Sequence, residues 1–182
     1  MMGGLAALSW VGTARRAGAS VARALSLGEL LDQSHHALVG SPVDHFARWE
    51  TVGRRSRIVT YSLVAVRQSL DGRPTPTGEV MVRTLGGQVD GIGQIVPGEA
   101  ALHKGQPGTL FIERISRDLF TVTGMAQGHY PHLADSRGTE RLRANATGVE
   151  LVPDGVAAVE LLDGLSIAEA ERAIHEEIAR AR

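Results

Sequence analysis

Arg57 to Gly128 contains Ile58-Val-Thr-Tyr-Ser-Leu-Val-Ala-Val-Arg67, then Glu79-Val-Met-Val-Arg-Thr-Leu85, then Gly108-Thr-Leu-Phe-Ile-Glu-Arg-Ile115 and Leu119-Phe-Thr-Val-Thr-Gly-Met-Ala126. These runs are rich in β-branched residues and bounded by turn formers, the pattern of strands. Between the second and third lies Thr84-Leu-Gly-Gly-Gln-Val-Asp-Gly-Ile-Gly-Gln-Ile-Val-Pro-Gly98. A loop of this length inside a compact domain is functional or locally structured. Strand-like runs gathered around one glycine-rich loop point to a small β-barrel or sandwich.

Working outward, Ala37 to Trp49 reads as a further strand, with Gly40 and Pro42 marking a bulge or an edge. Asp71 to Gly78 is a turn dense in breakers, and Ser116-Arg117-Asp118 closes a hairpin between the last two runs. Ser26-Leu-Gly-Glu29 is a capping box ahead of a leucine stripe, so Leu27 to Ser34 is expected to be a two-turn helix. Ser166-Ile-Ala-Glu169 is a second capping box. It opens a helix whose Ile167, Ala170, Ile174, Ile178 and Ala181 form one apolar stripe. That helix is expected to pack on the barrel, because an isolated helix of about 15 residues is marginal in water. Ala134 to Thr147 is polar and reads as irregular, and Val149 to Leu162 reads as one or two short strands.

The expected architecture is therefore mainly β with flanking helices. A five- to six-stranded antiparallel OB-like barrel carries a short N-terminal helix and a C-terminal amphipathic helix packed on it. The organisation is a leader or degenerate signal peptide over residues 1–24, an OB-like barrel over 25–132, an irregular extension with short strands over 133–165 and a helix over 166–182. Val59, Leu63, Val64, Val66, Val80, Val82, Leu110, Ile112, Phe120 and Val122 are expected inside the barrel.

Composition excludes several functions. The 182 residues hold 19 basic and 20 acidic side chains, so no broad basic field is expected for phosphate neutralisation. Aromatic residues make up 4%, too few for the stacking platforms of a single-strand binder. Cysteine is absent, which removes disulfides, thiolate metal sites and cysteine nucleophiles.

The N-terminal run Gly3 to Gly12 is apolar but far below the ~20 residues that span a bilayer. Ala22-Arg23-Ala24 fits a small-x-small cleavage site, although no Lys or Arg precedes the run and Arg15 and Arg16 interrupt the approach. A degenerate secretory signal is the expectation, set against a leader without function. The chain is then exported, to the periplasm or the medium, and otherwise cytoplasmic.

The motifs that carry chemistry fail one by one. From Gly91, the sixth position of a dinucleotide fingerprint falls on Val96, and the loop has no Gly-Lys-Ser or Gly-Lys-Thr. His129-Tyr-Pro-His132 cannot be aligned on a helix because of Pro131, and His35 and His36 face opposite ways on a strand. Surface or hydrogen-bonded histidines are expected, with no metal and no cofactor. Leu8-Ser9-Trp10 and Leu25-Ser26-Leu27 lack the glycines of a nucleophile elbow. Asp90, Glu99, Glu113 and Asp118 are scattered carboxylates of the sort strand edges carry, and Asn145-Ala-Thr147 is a formal glycosylation sequon.

The order of elements, with Ala37-Leu-Val-Gly40, Ile58 to Arg67, Asp71-Gly72, Glu79-Val-Met-Val82 and Leu110-Phe-Ile112, resembles the barrel of the netrin and tissue-inhibitor-of-metalloproteinase type, a variety of OB-fold. Thr84-Leu-Gly-Gly87 and Gly124-Met-Ala-Gln-Gly128 resemble runs found in uncharacterised exported bacterial proteins. The resemblance covers Leu27 to Gly128 and implies a fold more than an activity. Those inhibitors chelate their target's zinc through an N-terminal cysteine, which this chain lacks, so inhibition by that route does not carry over.

The expected function is a non-enzymatic, exported module that binds a polypeptide partner. Its contact surface is Gly86, Gly87, Val89, Gly91, Ile92 and Gly93, together with the Trp49 end of the first strand. Most apolar residues of the loop, among them Ile95 and Val96, are expected to tuck onto the barrel. Val89 or Ile92 is left for contact. The alternatives are a hydrolase with a dispersed carboxylate and histidine site, and an OB-fold that binds nucleic acid or oligosaccharide.

Overall fold

The computed structural model describes residues 20–74, 78–145 and 148–181. Gly3 to Gly12 and Leu8-Ser9-Trp10 lie outside them, as do part of the Asp71 to Gly78 turn and the last two residues of the sequon.

The chain opens with β1 (Ser20–Arg23) and α1 (Leu27–Gln33), then β2 (His36–Val52), β3 (Arg55–Ser69), β4 (Glu79–Leu85), β5 (Gly87–Val89) and β6 (Ile92–Gln94). It continues with β7 (Gly108–Ser116), β8 (Leu119–Val122), a 3-10 turn at Met125–Gly128, β9 (His129–Ala134), β10 (Glu140–Leu142) and β11 (Val149–Val152). Two helices, α2 (Ala158–Leu162) and α3 (Ile167–Arg180), end it.

Seven strands form one sheet in the order β10-β9-β7-β2-β3-β4-β8, and β7 pairs in addition with β8. All its pairings are antiparallel except β4 with β8. The expected all-antiparallel barrel is thus a mixed sheet. Hairpins force neighbours to run antiparallel, but β4 and β8 meet across the long loop, so nothing local sets their direction. The expected bulge is present, with register shifts between Val39 and Gly40 and between Pro42 and Asp44. At Gly40 a Cβ would stand 2.7 Å from Val64 and 2.9 Å from the Ala65 carbonyl.

Each face of the sheet buries its own cluster. Leu38, Val64, Val80, Val82, Leu110, Ile112, Phe120 and Val122 pack together on one, with Ala100 and Leu102 of the loop. Leu63 and Val66, expected in the core, are only half-buried. On the other face, Ala37, Val39, Phe111, Tyr130 and Leu142 meet Leu27, Leu30 and Leu31 of α1, Ala158 and Leu162 of α2, and Ala170 and Ile174 of α3. The C-terminal helix is therefore integral to the core. Both capping boxes form: the Glu29 amide donates to Ser26 Oγ at 3.2 Å and the Glu169 amide to Ser166 Oγ at 3.4 Å.

Two expected boundaries shift. Ser20–Arg23, near the end of the expected leader, form β1, which pairs in parallel with β11. Ala134 to Thr147, expected to be irregular, holds β10; beyond it β11 is a short strand as expected, and α2 stands where a second strand was expected. Gln127 explains the first: its Oε1 accepts from the Leu25 amide at 2.8 Å and its Nε2 donates to the Arg23 carbonyl at 3.1 Å. The Gly124 to Gly128 run is thus a clamp on the N-terminal segment. At Gly124 a Cβ would meet Leu25 at 2.6 Å, and at Gly128 the Thr123 carbonyl at 2.3 Å.

Candidate functional site

The glycine loop is a hairpin with a fixed base. β5 and β6 pair antiparallel, Val89 opposite Ile92, around Asp90 and Gly91. Both turn residues have positive φ, 50° and 79°, as a two-residue type I′ turn demands. At the base, the Gly86 amide donates to the Ile58 carbonyl at 2.8 Å, and Thr60 Oγ1 donates to the Gly86 carbonyl at 2.7 Å. The Ile58 amide donates to Gln94 Oε1 at 2.7 Å. Gly87 lies flat on β2 and β3: a Cβ there would stand 2.2 Å from Thr60 Oγ1 and 3.5 Å from the Ala47 Cβ. At Gly86 it would stand 2.8 Å from the Gln94 carbonyl oxygen.

The tip differs. Around Gly91 and Gly93 a Cβ would meet nothing within 4 Å. Val89 and Val96 are half-buried, but Ile92 is 56% and Ile95 93% exposed. The expectation that most apolar loop residues tuck inward fails for Ile95, whereas Ile92 is one of the two residues expected to stay out. The hairpin rests on the ribbon through its glycines, whose lack of side chains brings the backbones together and leaves no gap for the isoleucines. Trp49, 45% exposed, lies opposite Ile58 in the β2–β3 register and so shares the hairpin's face of the ribbon. The structure thus gathers Trp49 and the hairpin on one side. It separates Gly86 and Gly87, which pack, from Gly91, Ile92 and Gly93, which face solvent.

Between hairpin and sheet opens a cleft of about 240 Å³, lined among others by Thr60, Thr84, Gln94, Ile95, Glu99 and His103. Burial pushes the Glu99 carboxyl up, against the Leu85 and Ala100 amides that hold it down. Thr60 is committed to the Gly86 carbonyl, so the cleft presents a carboxyl without a nucleophile bonded to it. Among the described residues, no group of three or more His, Asp or Glu could hold a metal.

The histidines meet the expectation of surface or hydrogen-bonded rings only in part. His36, His129 and His132 are buried. His132 Nε2 lies 2.9 Å from Thr109 Oγ1, whereas both ring nitrogens of His36 and Nδ1 of His129 have no hydrogen-bond partner. Burial lowers the pKa of all three, His129 to about 4, so they are neutral at pH 7.

Sequence reasoning missed a polar cluster on the opposite face of the β2–β3 ribbon. The Tyr61 hydroxyl donates to Glu50, which also accepts from Arg48 at 2.7 Å and Arg83 at 3.1 Å. Phe46 stacks on Tyr61 with centroids 5.0 Å apart. The Tyr61 hydroxyl first, and then Arg48 and Arg83, hold the Glu50 carboxyl down at about 2. Period-two alternation of Phe46, Arg48 and Glu50 was the available signal.

No helix among the described residues is long and apolar enough to cross a membrane. No protein-family model, curated protein or solved structure matches this chain.

Proposed function

We propose that the chain is a non-enzymatic, exported interaction module on an OB-like barrel, binding a polypeptide through the tip of its glycine hairpin. The barrel part of the reading rests on the pairings β2 to β3, β3 to β4, β4 to β8, β8 to β7 and β7 back to β2, a circuit of five strands. Export rests on Gly3 to Gly12 and Ala22-Arg23-Ala24. Cleavage after Ala24 would remove β1, and N-terminal sequencing of the chain recovered outside the cell tests it.

The observation that carries the binding reading is the exposure of Ile92 and Ile95 beside a hydrogen-bonded base. A fixed frame that holds apolar side chains out of the core has lowered the ordering cost of contact. The glycines at the tip add backbone that a partner can approach closely. The test is Ile92→Ser with Ile95→Ser. A protein captured by the wild type is purified and its affinity measured against both chains. Loss of at least about tenfold with unchanged melting is expected. Equal affinity for both chains would remove the surface.

A further inference from the structure

β2 is 17 residues long, but β7 flanks only its first five, His36 to Gly40. The Gly105 amide then donates to the Pro42 carbonyl, and Lys104 lies 3.5 Å from Asp44. From Val43 to Val52, among the described residues, β3 is the one strand hydrogen-bonded to β2. Ten residues at ~3.4 Å each leave about 34 Å of unpaired backbone edge. Native proteins guard such edges with proline, bulges or charge. Here the proline and the bulge stand at the start of the free stretch, and beyond them Phe46 is 51% and Trp49 45% exposed.

We propose that this edge pairs antiparallel with the same edge of a second copy, with Trp49 on the two-fold axis. The charges select that register. A two-fold axis normal to the sheet keeps faces matched, so it passes through a residue. Centred on Arg48 or on Glu50, the pairing sets like charges on the axis. Centred on Ala47 it sets Asp44 against Glu50, and centred on Thr51 it runs past Val52 into the Gly53–Arg54 turn. Centring on Phe46 runs the pairing into Pro42, whose carbonyl is taken by Gly105. Centred on Trp49, Arg48 faces Glu50 of the second copy twice, while Phe46 faces Val52. Opposite charges and apolar pairs directly across strands stabilise a ladder, and like charges oppose it. Matched faces also put both hairpins on one side of the joined sheet, so the dimer presents two contact tips. This inference does not depend on what the hairpin binds.

The absence of cysteine makes the test direct. Residues facing each other in an antiparallel pair have Cα atoms about 4.5–5.5 Å apart, within disulfide range. Trp49→Cys should therefore cross-link to itself on oxidation. Thr51→Cys, whose two copies stand about 14 Å apart across the axis, should not. In sedimentation, the wild type should dimerise below about 100 μM, Arg48→Glu should be monomeric, and Arg48→Glu with Glu50→Arg should dimerise again. Melting curves show whether each variant is folded. A wild type monomeric at that concentration overturns the proposal, as does equal cross-linking at residues 49 and 51, or failure of the charge swap to restore the dimer.

Discussion

The base and the tip of the loop between Gly86 and Gly98 use the same residue type for opposite ends. At Gly86 and Gly87 the missing Cβ lets one backbone lie against another, with Thr60 and Gln94 closing the bonds. At Gly91 and Gly93 nothing is near, and the glycine serves a turn or leaves surface bare. Glycine content alone therefore does not mark a binding loop. What marks the tip is that its isoleucines stay outside while its base is held.

The sharpest way to break the comparison is Gly87→Ala. The new Cβ meets Thr60 Oγ1 at 2.2 Å on a backbone of φ +126°. Strain and overpacking together should cost about 4 kcal/mol, read as a fall in the denaturant midpoint. A midpoint unchanged would mean that the base is not packed.

A pH series separates the body from the hairpin. His129, in β9, is neutral when folded, with its pKa lowered from 6.5 to about 4. The unfolded chain therefore binds a proton that the folded chain refuses. Stability is full above pH 6.5 and declines as the pH falls towards about 4, by on the order of 3 kcal/mol from this residue. His36 and His132, also lowered, act in the same direction. His129→Phe should flatten the dependence by about one proton in that window. Glu50 is distinct, since its pKa is lowered from 4.5 to about 2 and its contribution is lost in that more acidic range.

Smaller effects belong to the tip. Gly91→Ala keeps open space but forces φ +79° on an L-residue, a cost of about 1 kcal/mol. Gly93→Ala has neither penalty and should stay within about 0.5 kcal/mol of the wild type. If Gly93→Ala matched Gly87→Ala, base and tip would not differ.

Much of this was legible in the residues. The capping boxes at Ser26 and Ser166 locate α1 and α3 because their signals are local. The Gly40–Pro42 irregularity and the strands β3 and β4 follow from residue type. α2 was not legible, as no side chain caps Ala157 and its five residues hold too little period to read. β1 hid in a segment that reads as a leader, and its partner β11 lies far along the chain. The loop was identified as the candidate site, with Val89 or Ile92 left for contact, but the fate of Ile95 was not. Which side chains a hairpin buries depends on the surface it lands on, and that surface is built by Ala47, Ile58 and Thr60. The burial of His129 and His132 was not legible because polar residues in a short strand give no sign that β7 and β10 flank it on both sides.

The most direct test of the central claim, that a fixed base holds out a contact tip, is the pair Ile92→Ser and Ile95→Ser, with melting and partner affinity measured on the same preparation. The expected result is a melting midpoint within about 2 °C of the wild type and an affinity weaker by at least about tenfold. A large fall in melting with affinity preserved would contradict it, placing the isoleucines in the core and the contact surface elsewhere.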